Sequence, residues 1–173
     1  MSRLICNTLV LISILIAIES CNKHSNEPDS SIIEFKGITT TDIYGQFTGI
    51  YDSTDWQQND NWQIFEKQLF SDFDMYNYGC PIDSNNLIVG YPNPIVDFMF
   101  KLHLEKDSTT RVDFRIVNQN FETLISVDSL YKNQIALTFK DIVSENDSIF
   151  RVYYRFVTVN NCGFIGHGDI QLK

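Results

Sequence analysis

Three histidines, four cysteines and a group of aspartates are the side chains of this 173-residue sequence whose types could do chemistry. His24 sits in a polar stretch, His103 on the polar side of an alternating segment, and His167 in Gly166-His167-Gly168 near the end. A nucleophilic relay needs a base within hydrogen-bond reach of a Ser or Cys, and a third group to orient that base. No Ser, Cys or Asp stands at a spacing that links any of these histidines into a relay, so no catalytic residue is assigned and the chain does not read as an enzyme. Asp52, Asp55 and Asp60 offer hard oxygens for Ca²⁺, but the glycine and closing glutamate of an EF-hand loop are missing, which leaves a solvated loop. The cysteines form no C-x-x-C pair and have no spaced histidine partner, so no metal site and no cofactor are expected.

Cys6 lies inside an apolar leader and Cys21 at its end, which leaves Cys80 and Cys162 as the pair in the body of the chain. In an exported protein a disulfide can form and persist. A Cys80–Cys162 bond would close a loop of about 80 residues and stabilise by roughly 4 to 5 kcal/mol in the chain-entropy account. The other reading is two buried thiols behaving as small hydrophobes.

Aromatic side chains crowd one region: Trp56, Trp62, Phe70, Phe73, Tyr76 and Tyr78, with Asp72 and Asp74 among them. Rings beside carboxylates are what a glycan or peptide site would use, making Trp56, Trp62, Tyr76 and Tyr78 candidate ligand contacts. They are also what a helix and loop packed over a β-sandwich would bury, and core packing is the favoured reading.

The leader decides where such a domain would live. Met1, Ser2 and Arg3 give a short basic start, and Leu9–Ile18 is apolar apart from Ser13. A membrane-spanning helix needs about 20 apolar residues and a secretory h-region about 7 to 15, so this run reads as a signal peptide. It ends at Ile18-Glu19-Ser20-Cys21, which resembles the lipobox of bacterial lipoproteins: an aliphatic residue at −3, a small residue at −1, then a cysteine. Glu19 stands where that pattern prefers a small or aliphatic residue. The resemblance implies cleavage between Ser20 and Cys21, and a diacylglyceryl group plus a further acyl chain such as palmitate on Cys21. One fatty chain gives only marginal residence on a membrane, whereas two or more make attachment stable. Asn22 lacks the carboxylate that, in lipoprotein sorting, favours retention at the inner membrane, so the implied address is the outer membrane, facing either the periplasm or the outside.

Removing residues 1–20 leaves 153 residues, enough for one domain with a single core. The formal charge stays at −9, because Arg3 and Glu19 leave together. An acidic surface repels phosphate backbones, which argues against nucleic-acid binding, and it makes the lipid on Cys21 the membrane contact. Residues 21–31, polar and containing Pro28, read as a flexible tether with a reach of roughly 17 to 19 Å. The domain proper spans 32–173.

Within it, Ile32, Ile33 and Phe35, then Ile43–Tyr51, predict two short strands around Thr39-Thr40-Thr41. Trp62, Phe65 and Leu69 recur at i, i+3 and i+7, predicting one short helix near Asn61–Phe70 with Asp60 or Asn61 as its N-cap. Phe98, Phe100, Leu102 and Leu104 alternate with polar residues. So do Val112, Phe114 and Ile116, and after the Asp107-Ser108 turn the two runs predict a hairpin with one wet face. Further strands are expected at Thr123–Asp128, Gln134–Phe139, Ile149–Val159 and Phe164–Leu172. Short strands at such spacing define an all-β chain and an immunoglobulin-like sandwich.

Tyr91-Pro92-Asn93-Pro94 holds Tyr91 and Asn93 extended, because each proline restricts the residue before it. Y-P-N-P, an alternating strand and then Val112-Asp113-Phe114-Arg115-Ile116-Val117-Asn118 resemble the opening of the C-terminal sorting modules of type IX secretion substrates, over about Tyr91 to Leu130. The resemblance implies an immunoglobulin-like sandwich in an envelope protein. The function expected is therefore that of a membrane-anchored envelope lipoprotein, a non-catalytic binding or assembly module whose protein or glycan partner the sequence does not name. The alternative is a surface glycan- or peptide-binding accessory lipoprotein using Trp56–Tyr78.

Overall fold

The structure is a computed structural model that describes residues 33, 35, 37–59, 61–78, 86–143 and 148–173. The chain falls into two compact units, Met1–Ser31 and Ile32–Lys173, and every described residue belongs to the second. The leader, Ser20, Cys21, His24, Asp60 and Cys80 lie outside the described residues.

Seven strands build a sandwich: β2 (Leu87–Val96), β3 (Met99–Glu105), β4 (Arg111–Val117), β5 (Thr123–Leu130), β6 (Gln134–Thr138), β7 (Ile149–Val157) and β8 (Gly163–Gln171). A two-residue strand, β1 (Gln57–Gln58), adds to the β8 edge. One sheet runs β2-β3-β6 and the other β1-β8-β7-β4-β5, with every pairing antiparallel. Lettered A, B, C, C′, E, F and G from β2 to β8, these are an A-B-E sheet facing a G-F-C-C′ sheet, the Greek-key arrangement of immunoglobulin-like domains. The end of β2 also meets Leu172, just past β8, through a parallel bridge from Ile95.

The alternation read from β3 is realised: Phe100, Leu102 and Leu104 are buried between the sheets, while Met99, Lys101 and Glu105 face outward. The predicted hairpin with β4 does not form. β3 pairs with β2 and β6, whereas β4 pairs with β5 and β7, so the Asp107-Ser108 turn carries the chain from one sheet to the other. Nor is the second face of β4 wet. Val112, Phe114 and Ile116 point into the main core with Phe150, Val152, Tyr154 and Phe156 of β7. The alternate residues of β4, β7 and β8 point to the outer face, where a second apolar cluster of Ile33, Trp62, Phe70, Val117, Tyr153 and Ile165 covers them. Residues before β2 form that cover, and they leave β4 and β7 buried on both faces.

Two other expectations need correction. Residues 37–51 form no strand; they make a loop joined to β2 by the Thr41–Asn93 bridge, with Ile43, Tyr44, Phe47, Ile50 and Tyr51 exposed. The helix α1 spans only Ile64–Lys67, and its N-cap is Gln63 rather than Asp60 or Asn61. The Glu66 carboxylate accepts the Gln63 N–H at 2.6 Å, which fixes the first turn there. Leu69 and Phe70 then bond to carbonyls only three residues back, tightening the chain into turns that drop both side chains toward the sheet.

Candidate functional site

On the outer face of β7 and β8 a cavity of about 280 Å³ lies against residues 52–66. Asp52, Asp55, Asn59, Glu66, Arg151, His167 and Asp169 supply its charged and polar wall. Register explains the grouping. Arg151 stands directly opposite Asp169, and Tyr153 opposite His167, so their side chains share one face of the β7–β8 pair.

Arg151 clasps Asp169 with two bonds, Nε to Oδ1 at 2.6 Å and a terminal nitrogen to Oδ2 at 2.7 Å. Asp55 is buried rather than solvated: its Oδ2 accepts the Thr39 N–H at 2.9 Å and its Oδ1 the Asp169 N–H at 2.6 Å. Burial pushes the Asp55 carboxyl up to about 7, more than those two N–H groups restrain it. Burial also pushes the His167 imidazole down to about 4, helped by the Arg151 charge. His167 Nδ1 lies 3.4 Å from the Asn59 amide. Glu66 accepts the Tyr153 hydroxyl at 2.8 Å, and the Tyr153 phenol is raised by burial and by that carboxylate. Each carboxylate of this wall accepts from backbone or from a neighbouring side chain. Among the described residues no group of three His, Cys, Asp or Glu side chains is placed to hold a metal ion.

A second charged cluster lies further up the same face, and its spacing in sequence gave no sign of it. Arg155 is buried, its Nε donating to Asp113 at 2.8 Å and one terminal nitrogen to Asp72 at 2.6 Å. Its guanidinium lies over the Phe70 and Tyr76 rings at 4.7 and 5.0 Å. Arg111 donates to the Tyr76 hydroxyl at 2.5 Å, while its buried Nε has no hydrogen-bond partner among the described residues. Tyr78 reaches Arg155 at 3.3 Å.

The four aromatic candidates thus end up in packing roles. Trp56 and Trp62 are 7 % and 3 % exposed, and neither ring offers a ligand face. Trp56 plugs the main core, stacked on Tyr154, and Trp62 packs between Phe70 and Tyr153. Tyr76 and Tyr78 are half-buried and hold the arginines of the outer face. His103 projects from β3 beside Glu105, 3.9 Å away, far in the fold from the cavity's elements. Cys162 immediately precedes β8 and bridges Asn77 in parallel.

Sequence reasoning also passed over Asn93. Its side-chain amide donates to the Thr39 and Asp169 carbonyls at 2.8 and 2.9 Å, and its Oδ1 accepts the Gln171 N–H at 2.9 Å. It is fully buried and ties the 39–41 loop, β2 and β8 together. An Asn between two prolines was the available signal, since neither proline can donate to a ladder and the asparagine side chain can.

Fold and site together define an immunoglobulin-like β-sandwich with a polar cavity under an outer-face cover. No protein-family model matches the sequence, and no curated protein matches it. Among solved structures, similarity is found to a DUF3244-family protein from Bacteroides vulgatus with an immunoglobulin-like β-sandwich fold, at TM-score 0.33 and 8 % identity over 49 % of this chain and 82 % of that one. CopC from Methylosinus trichosporium is similar at TM-score 0.35 and 9 % identity, over 51 % of this chain and 93 % of that one. Superpositions this partial carry no function to the present chain.

Proposed function

We propose that this chain is a cell-envelope lipoprotein, anchored through lipid on Cys21, whose sandwich is a non-catalytic binding or assembly module. The observation that carries the reading is the order of the N-terminal parts: basic start, apolar run, Ile18-Glu19-Ser20-Cys21, then a compact unit beginning at Ile32. Among the described residues no helix is long and apolar enough to cross a membrane. The binding side of it rests on the cavity wall, where the carboxylates are engaged in holding the fold. Buried Trp56 and Trp62 lend no support to the glycan-binding alternative.

An oxidising envelope address also suits a Cys80–Cys162 bond. It is supported by Cys162 being a bonded cysteine and by the bridge that brings Asn77, three residues before Cys80, beside it. Detergent-phase partitioning of the protein expressed in a gram-negative host tests the anchor. The chain is expected in the detergent phase and labelled by fatty acid, with Cys21→Ala leaving an unlabelled, aqueous-phase protein. A wild-type chain found unlabelled in the aqueous phase overturns the reading.

A further inference from the structure

We propose that the loop Asp42–Asp52 is a membrane-docking element that inserts its apolar side chains into the interface of the bilayer to which the chain is anchored. This rests on the lipoprotein reading above. Nine consecutive residues, Ile43–Tyr51, carry no charge in a chain that is 20 % charged. Five of them are large and apolar, and all five are exposed: Ile43 58 %, Tyr44 76 %, Phe47 64 %, Ile50 65 % and Tyr51 59 %. Five of the fourteen exposed large hydrophobic side chains among the described residues fall in this one run, and such a concentration marks a surface that is covered in use.

The loop is built, not loose. Asp42 Oδ1 accepts the Tyr44 and Gln46 N–H groups at 2.8 and 2.9 Å, and the Asp42 N–H bonds the Gln46 carbonyl at 2.9 Å. Thr40 and Ile50 close the stem, and Thr41 exchanges two backbone bonds with Asn93 of β2. Phe47 and Tyr51 meet edge to face at 5.7 Å. The rings are therefore presented on a rigid stem, and insertion needs little further ordering.

Chain length and charge select the bilayer as the occupant. Cys21 precedes Ile43 by 22 residues, so a lipid there would tether the domain to the bilayer. At the effective concentration such a tether sets, even weak interfacial insertion is populated. The formal charge of −9 removes electrostatic attraction to anionic headgroups, so contact must come from apolar burial, and Tyr with Phe and Ile is the composition that suits an interface. No lysine or arginine in the loop is available to pair with an acidic partner.

The test places the mature chain, carrying an N-terminal hexahistidine tag, on vesicles containing nickel-chelating lipid, so that tethering does not depend on acylation. With Phe47→Trp as reporter, phosphatidylcholine brominated in its acyl chains is expected to quench the added fluorescence, equally in low and high salt. Adding Ile43→Ser and Ile50→Ser lowers the inserted fraction by about tenfold or more, with no change in melting temperature because both residues are exposed. A reporter unquenched on tethered protein, or quenching indifferent to the two serines, overturns the proposal, and that includes the case where the loop serves a protein partner instead. Failure of the lipoprotein reading shows separately, as loss from the detergent phase in the host.

Discussion

Gly168→Ala probes the closest approach in the sandwich, where β8 passes the Trp56 ring. A Cβ at Gly168 would lie 2.2 Å from Trp56 Cδ2 and 2.4 Å from Cε2 and Cε3. Carbon atoms settle at about 3.5 to 4.0 Å, so the ring would have to retreat by more than an ångström. It has nowhere to go, because Tyr154 stacks on it at 6.4 Å between centroids and a Cβ at Gly90 would already lie 2.7 Å from its far edge. Overpacking of this kind costs about 1 to 3 kcal/mol, and a closed slot places the cost near the upper end. Trp56→Ala, removing a ring only 7 % exposed, is expected to cost about 3 to 5 kcal/mol. In that background the alanine at 168 grows into empty space and should cost less than about 0.5 kcal/mol, a coupling of about 2 kcal/mol between the two sites. Urea denaturation followed by circular dichroism, with slopes checked for constancy, gives all four stabilities. Additive effects, or a Gly168→Ala chain as stable as the parent, would refute the packing described for Trp56.

Titration offers a second check on the cavity. His167 is held near 4 against an ordinary 6.5, so its contribution to stability is present above 6.5 and lost as the pH falls toward 4. Asp55 is held near 7 against 3.8, so its contribution is present below 3.8 and lost as the pH rises toward 7. At about 1.4 kcal/mol per unit the two are worth on the order of 3 and 4 kcal/mol, and they oppose one another in the parent. His167→Gln should therefore lose stability from pH 4 to 7, and Asp55→Asn from pH 6.5 down to 4; identical profiles for both variants contradict the assignment. Asp113→Ala removes one of the two carboxylates on the buried Arg155 guanidinium and leaves it Asp72, so it is expected to cost about 1 to 3 kcal/mol in denaturant midpoint analysis, whereas no loss would show that the Asp113 bond does not stabilise the fold. Asn93→Ala forfeits three hydrogen bonds, two of them buried, with an expected loss of about 2 to 4 kcal/mol by thermal melting and faster amide exchange at Gln171, whose N–H loses its acceptor.

What the sequence discloses and what it conceals divide along one physical line. Strands β5 to β8 were legible within two or three residues, because alternation and Asn- and Asp-rich turns are local signals. Sheet membership was not, since a turn such as Asp107-Ser108 reads alike whether it closes a hairpin or crosses between sheets. Asp113, Arg151, Arg155 and Asp169 alternate like a solvated face; they are buried because residues before β2 return to cover them, a long-range event that periodicity does not record. The same event took Asp55 from an expected solvated loop to a buried carboxylate. Ile43–Tyr51 misled in the opposite sense: β-formers were read as a half-buried strand and prove to be exposed on a loop. Gly166-His167-Gly168 acquires its meaning only in three dimensions, two inward glycines admitting β1 and Trp56 while the histidine faces the cavity.

Intact-mass analysis of membranes from native-host cells, before and after reduction and alkylation, tests the account most directly. The account predicts a species beginning at Cys21 and carrying two or three acyl chains, with two thiols, Cys80 and Cys162, alkylated only after reduction. An unacylated protein in the soluble fraction, cleaved elsewhere than between Ser20 and Cys21, would contradict it.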